Sequence, residues 1–123
     1  MVRIQIDETK KSPKVDLNPE TGTAHFSGRS INSDAFIFYE DIIEWFKNNG
    51  EKFEELNVHF GFEHINTVTN KCLLQILLMI KKFEESGRNI KVEWAYDEED
   101  EDMYETGEEL EMLSGVNFKY TKL

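Results

Sequence analysis

The 123-residue chain is poor in cysteine, in basic side chains and in long apolar runs. Its one cysteine, Cys72, cannot form a disulfide within the chain. The formal net charge is −11, with 14 lysine and arginine residues against 25 aspartate and glutamate residues. This balance argues against nucleic acid or an anionic membrane as a partner, because both attract basic surfaces. The lack of a signal-like or membrane-spanning segment predicts a cytoplasmic protein, and the length predicts one domain over residues 1–123.

The sequence also lacks the motifs of common enzyme sites. It has no glycine-rich phosphate loop and no His/Cys spacing typical of zinc sites. His25, His59 and His64 have no serine or cysteine in a nucleophile setting nearby, and Cys72 falls on the apolar stripe of a predicted helix, as a buried structural thiol would. We therefore predict a non-enzymatic protein with no metal and no cofactor, whose main partners are other proteins.

Negative charge is concentrated in residues 97–111, which contain ten acidic residues and no basic one. The run predicts a solvated helix with acidic residues in its first turn, where the helix dipole favours them. A calcium-binding loop is not predicted, because Asp102 occupies the position at which an EF-hand requires glycine. The segment is therefore interpreted as a helix without a metal site.

Apolar periodicity predicts strands that alternate with helices. The predicted elements are a hairpin over residues 15–28, a helix from a cap at Asn32 or Ser33 to about Gly50, a strand over 56–62, a helix from Thr67 or Val68 to about Gly87, a strand over 90–96, the acidic helix ending near Gly115, and a strand over 116–121. The order β-β-α-β-α-β-α-β predicts a single α/β domain. Its sheet is expected to be mixed, with helices mainly on one face.

The helix after Asn66 has two distinct faces when its side chains are placed at about 100° per residue. The predicted core stripe comprises Cys72, Leu73, Ile76, Met79, Ile80 and Phe83. The opposite face carries Thr67, Lys71, Leu74, Leu78 and Lys81. In the preceding helix, Phe36 and Ile43 also lie opposite the predicted buried side. We predict that Leu74, Leu78, Phe36 and Ile43 form an exposed docking surface for a protein; the alternative is that a loop or a neighbouring helix covers them.

The start of the same helix is a candidate regulatory site. A phosphate on Thr67 would lie at a helix N-terminus, where the dipole and free N–H groups favour negative charge. Thr69 is the alternative acceptor, and Asn66, Asn70 and Lys71 would form the surroundings. The competing interpretation is that Asn66 or Thr67 simply caps the helix.

Several short motifs, taken in order, resemble the SiaC family of bacterial regulatory phosphoproteins over nearly the whole chain. The motifs are residues 9–13 with Val15, Gly28-Arg29-Ser30 before Ala35 and Phe38-Tyr39, the run Phe62-Glu63-His64-Ile65-Asn66-Thr67 before Lys71-Cys72, and Trp94-x-Tyr96 before Asp102-Met103 and Gly107-Glu108. The predicted fold is similar to the STAS-type fold of anti-anti-sigma factors. In that fold a regulatory Ser or Thr begins the helix that follows a central strand.

The resemblance implies a switch at Thr67. In the family the matching threonine is phosphorylated by a partner kinase and dephosphorylated by a PPM-type phosphatase, and the unphosphorylated form binds and activates a diguanylate cyclase. Two other functions stay open: an anti-anti-sigma-like protein that binds an anti-sigma-type Ser/Thr kinase, and an acidic adaptor that does not depend on phosphorylation. Because no arginine cluster accompanies Thr67 in the sequence, we expect a phosphate there to block association instead of ordering a new internal state.

Overall fold

The computed structural model describes residues 2–123. Its elements are β1 (Ile4–Ile6), β2 (Lys14–Asn18), β3 (Thr23–Ser30), α1 (Ala35–Asn49), a 3-10 turn (Gly50–Lys52), β4 (Glu55–Ile65), α2 (Thr67–Glu85), β5 (Asn89–Tyr96), α3 (Glu101–Ser114) and β6 (Phe118–Lys122). This arrangement confirms the predicted mixed α/β class. No helix within residues 2–123 is both long enough and apolar enough to cross a membrane.

The six strands form one mixed sheet in the order β1-β2-β3-β4-β5-β6. The first three strands pair antiparallel, and β3 to β6 pair parallel. A helix connects each pair of consecutive parallel strands, as parallel pairing requires. Helix α2 contacts both α1 and α3, so the three helices form one layer with α2 in the middle.

The core lies between the helix layer and one face of the sheet. Alternate residues of the central strands point into it, and their aromatic rings pack against one another. The Phe60 ring lies 5.1 Å from that of Phe26 and 5.8 Å from that of Trp94, measured between centroids. Trp94 also positions α3, since its indole Nε1 donates a 3.0 Å hydrogen bond to the carbonyl of Met103. Burial of these large rings supplies much of the apolar area that stabilises the fold.

The opposite face of the sheet is polar. His25 and His59 lie on it with nearly parallel rings, 4.4 Å apart between centroids. The Nδ1 atom of His59 is hydrogen-bonded to the carboxylate of Glu93 on the neighbouring strand. This face therefore follows the alternation expected of a sheet with helices on one side.

Two features differ from the sequence-based prediction. Strand β1 was not predicted, because three residues are too few for a periodic signal; it forms by antiparallel pairing with β2, where Ile4 lies opposite Leu17. The predicted cap of α1 at Asn32 or Ser33 is wrong: the N-cap residue is Asp34, which makes no side-chain cap hydrogen bond. The side chain of Asn32 instead donates a 3.0 Å hydrogen bond to the Asp34 carboxylate.

Candidate functional site

Asn66 is the N-cap residue of α2 and fixes the start of the helix with three hydrogen bonds. Its side-chain oxygen accepts from the backbone N–H of Thr69 at 2.8 Å. Its side-chain nitrogen donates to the Asn32 carbonyl at 3.1 Å, and its backbone N–H donates to the Ser30 carbonyl at 3.1 Å. These bonds join the start of α2 to the end of β3 and to the segment that leads into α1, so the three elements meet at one place.

Thr67 is the first residue of α2, and its side chain is exposed. It lies two residues after the end of β4, at the edge of the sheet where the C-terminal ends of the parallel strands meet. The backbone N–H groups of Thr67 and Val68 belong to the first helical turn, in which N–H groups have no acceptor inside the helix. Free donors and the positive end of the helix dipole make this position favourable for an anionic group.

Thr69 has a different environment from Thr67, because its side chain is fully buried. Its hydroxyl donates to the Ser30 carbonyl at 2.8 Å and is also 2.8 Å from the Ser30 hydroxyl. The Ser30 hydroxyl is in turn 3.0 Å from the phenol oxygen of Tyr39, whose pKa is raised mainly by burial, so that the phenol stays neutral. This burial argues against Thr69 as a phosphate acceptor, since a kinase would have to unfold the start of α2 to reach it.

The remaining residues predicted around Thr67 have unequal exposure. Asn70 is half-buried, and its side-chain oxygen has no hydrogen-bond partner within residues 2–123. Lys71 is exposed and lies one helical turn after Thr67. Lys71 takes part in none of the ion pairs found among residues 2 to 123.

The predicted docking surface is only partly exposed. Phe36 and Leu78 are 58% and 45% exposed. Leu74 and Ile43 are half-buried and pack against the core, so the prediction that they are exposed is wrong. A helical wheel assigns two faces to each helix, whereas α1 and α2 lie side by side and cover each other's flanks. Ile37, next to Phe36, is 70% exposed and was not predicted to be part of this surface; two adjacent apolar residues in a first helical turn were the available signal.

Cys72 is buried in the core stripe of α2, which confirms the prediction of a structural thiol. Burial raises the pKa of this thiol and disfavours the reactive thiolate. Within residues 2–123, no three histidine, cysteine, aspartate or glutamate side chains are grouped so as to hold a metal ion. The reactive group that the start of α2 presents is the exposed hydroxyl of Thr67, and the hydrogen bonds of Asn66 and Thr69 hold the helix beneath it in place.

Comparison with known proteins gives a consistent result. Residues 6–123 match the model of a family described as SiaC family regulatory phosphoprotein. A curated but uncharacterized protein of Pseudomonas aeruginosa strain UCBPP-PA14 is 24% identical over 112 residues, which cover 89% of this chain and 87% of that protein.

Solved structures show the same fold. The crystal structure of apo-SiaC from Pseudomonas aeruginosa superposes with a TM-score of 0.87 at 20% identity and covers 99% of this chain and 98% of that one. A second match, at TM-score 0.91 and 20% identity, is the crystal structure of the Pseudomonas aeruginosa diguanylate cyclase SiaD in complex with its activator SiaC; it covers 98% of this chain and 99% of that one.

The match to the family model spans nearly the whole chain and confirms the resemblance inferred from the sequence motifs. The family's description as regulatory phosphoproteins also agrees with the prediction of a regulator that is not an enzyme. The chain belongs to the SiaC family of regulatory phosphoproteins.

Proposed function

We propose that this protein is a signalling regulator switched by reversible phosphorylation of Thr67, and that its unphosphorylated form binds and activates a diguanylate cyclase. The observation that carries the proposal is the position of Thr67, exposed as the first residue of a rigidly capped helix in a chain of a regulatory phosphoprotein family. A partner kinase would add the phosphate, and a PPM-type phosphatase would remove it. Both enzymes need an accessible hydroxyl, which Thr67 offers and Thr69 does not.

The surroundings of Thr67 support an effect on binding more than an effect on folding. A phosphate adds about −1.5 to −2 charges at neutral pH. The first turn of α2 contains no arginine, and Arg29 at the end of β3 is already paired with Glu63. The cation nearest along the helix is the exposed Lys71, and a surface pair with it would not reorganise the fold, while the helix N-terminus tolerates the phosphate where it stands. The added charge therefore acts mainly on whatever docks beside it.

Exposed apolar side chains near Thr67 offer a docking surface for the cyclase. Phe36 and Ile37 occupy the first turn of α1, and the hydrogen bond from Asn66 to the Asn32 carbonyl brings that turn to the same end of the domain as Thr67. Leu78 adds apolar area further along α2. A phosphate beside such a surface would have to lose water when a partner docks, which disfavours binding.

The test combines phosphosite mapping with binding. After incubation with the kinase, phosphorylation is expected on Thr67. The wild-type chain is expected to retain a GGDEF-domain cyclase in a pull-down and to raise its activity, while Thr67→Glu loses both effects. Thr21→Glu, an exposed threonine in the β2–β3 turn at the other end of the sheet, is the matched control and should behave as wild type.

Three outcomes would contradict the proposal. Phosphate found at other positions but not on Thr67 would exclude the switch. Recovery of an anti-sigma-type Ser/Thr kinase in place of a cyclase would favour the anti-anti-sigma-like function. Cyclase binding that Thr67→Glu leaves unchanged would favour an adaptor that does not depend on phosphorylation.

A further inference from the structure

The exposed side of α2 differs in charge from the rest of the molecule. Residues 67–83 contain three of the chain's 14 basic residues and none of its 25 acidic residues, and the two acidic residues of α2, Glu84 and Glu85, are confined to its last two positions. The α2 ridge is defined as the exposed residues of this stretch: Thr67, Lys71, Gln75, Leu78 and Lys82. At about 100° per residue, these five side chains lie within a sector of roughly 80° on one side of the helix.

Within the described part of the chain, neither ridge lysine has a carboxylate partner, although Lys82 lies in the last turn of α2, where the helix dipole favours a cation. The helices on either side expose mainly carboxylates, at Glu40, Asp41 and Glu44 on α1 and at Glu101, Glu105, Glu108 and Glu109 on α3. Even so, the ion pairs found within residues 2–123 include neither Lys71 nor Lys82. Lys81 is left out of the ridge because it is half-buried and its side chain lies against Gly115 at the C-terminus of α3.

We infer that the α2 ridge binds an acidic, amphipathic segment of the partner protein, whose carboxylates face Lys71 and Lys82 and whose apolar side chains contact Leu78. This inference rests on the proposed function and specifies the part of the cyclase that docks. Lys71 and Lys82 are separated by a helical rise of roughly 16 Å, which about three turns of a partner helix would span. Unpaired lysines on both sides of an exposed leucine are complementary to such a segment in charge and in polarity.

The ridge also explains how a phosphate on Thr67 would act. Thr67 precedes Lys71 by four residues, and an acidic group at that spacing before a lysine forms the favourable helical ion pair. The phosphate would therefore pair with Lys71 within the helix and place negative charge at the start of the ridge. Both effects lower the attraction for an acidic segment, without any change of fold.

The experiment measures the affinity and association rate of the full-length cyclase for the full-length regulator at low and high salt. Reversal of both lysines, in the double variant Lys71→Glu/Lys82→Glu, is expected to weaken binding about tenfold or more, mainly through a slower association rate. Wild-type binding should weaken as salt is raised, because screening shortens the range of the attraction. The double variant Lys71→Arg/Lys82→Arg keeps the charge and should bind as wild type, as should Lys14→Glu on the polar sheet face.

Different results would contradict the acidic-segment inference and the proposed function. If the cyclase binds the charge-reversed variant as tightly as wild type, or if binding is independent of salt, the acidic-segment inference is wrong while the proposed function stands. If wild type does not bind the cyclase at any salt concentration, the proposed function itself is wrong. Thermal unfolding of each variant, expected within a few degrees of wild type because both lysines are exposed, separates loss of binding from loss of fold.

Discussion

Helices α2 and α3 begin in similar ways, but the start of α2 is neutral and that of α3 is negatively charged. Each has a side-chain cap, in which Asn66 accepts from the N–H of Thr69 and Asp100 accepts from the N–H of Met103. The first turn of α3 carries Glu101 and Asp102 in addition to its anionic cap, whereas the first turn of α2 carries no acidic residue and has a neutral cap. The dipole of α3 is compensated by carboxylates, whereas the first turn of α2 has none, and the proposed phosphate on Thr67 would supply a negative charge there.

The two helices are also held in place by different forces. The start of α2 depends on buried hydrogen bonds, in which the hydroxyls of Thr69, Ser30 and Tyr39 form one chain. Helix α3 depends on close packing, because Gly107 lies so near Trp94 that a Cβ at this position would approach the indole to 2.6 Å. The hydrogen bonds at the start of α2 are made by buried groups, so they fix the start of the helix while Thr67 and Lys71 stay exposed.

The largest effect is expected for Gly107→Ala on α3. The added methyl group meets the indole ring of Trp94, which is 1% exposed and cannot move into solvent. We expect a loss of about 1–3 kcal/mol in the free energy of unfolding, even though alanine is the better helix former. Denaturant unfolding measures this loss of stability, with Glu105→Ala on the exposed side of α3 as the control. A stabilised Gly107→Ala variant would show that packing does not set the position of α3.

A smaller loss is expected for Thr69→Val on α2. Valine keeps the shape of the side chain but removes the hydroxyl that donates to the Ser30 carbonyl and contacts the Ser30 hydroxyl. The Ser30 carbonyl keeps its bond from the Asn66 N–H, so the expected cost in the free energy of unfolding is about 1–2 kcal/mol. The rate of amide hydrogen exchange in the first turn of α2 should rise as this stability is lost. Unchanged stability and exchange would mean that the hydrogen-bond chain does not fix this start.

The smallest effects test the difference in charge directly. Thr67→Asp adds a carboxylate to the first turn of α2 and should raise the free energy of unfolding by about 0.3–1 kcal/mol. Glu101→Gln removes one from α3 and should lower it by a similar or smaller amount, because two other carboxylates remain there. Thermal unfolding at low ionic strength measures both changes, which should shrink in high salt. A destabilised Thr67→Asp variant would undermine the comparison, and would also mean that loss of binding in a phosphomimetic could reflect partial unfolding.

Much of the fold could be predicted from the sequence because its signals are local. The period of two in residues 56–62 marked β4, and the predicted second helix agrees with α2 to within two residues at its end. Strand β1 escaped prediction because its three residues become a strand only through pairing with β2. The cap of α1 was misplaced because Asn32, Ser33 and Asp34 are all acceptable cap residues, and the choice among them depends on contacts made after folding.

The candidate site was predictable in position but not in exposure. Asn66 before an apolar helix, together with the order of the family motifs, identified the junction that contains Thr67. The family resemblance favoured Thr67 over Thr69, but the sequence could not show that Thr69 is inaccessible, since its burial depends on β3 and α1 meeting the start of α2. It also placed Leu74 and Ile43 on an open surface, because a helical wheel contains no information about helices packed on the flanks.

The sequence by itself determined the order of strands and helices from β2 onward, the unequal distribution of charge between α2 and α3, and the membership in a family of regulatory phosphoproteins. These follow from short-range periodicity, composition and motif order, which need no knowledge of distant contacts. The tertiary structure decided which threonine is accessible, which apolar side chains remain exposed, and which lysines lack a partner. Each of these depends on side chains far apart in the chain coming together, and burial and ion pairing are properties of that packed arrangement alone.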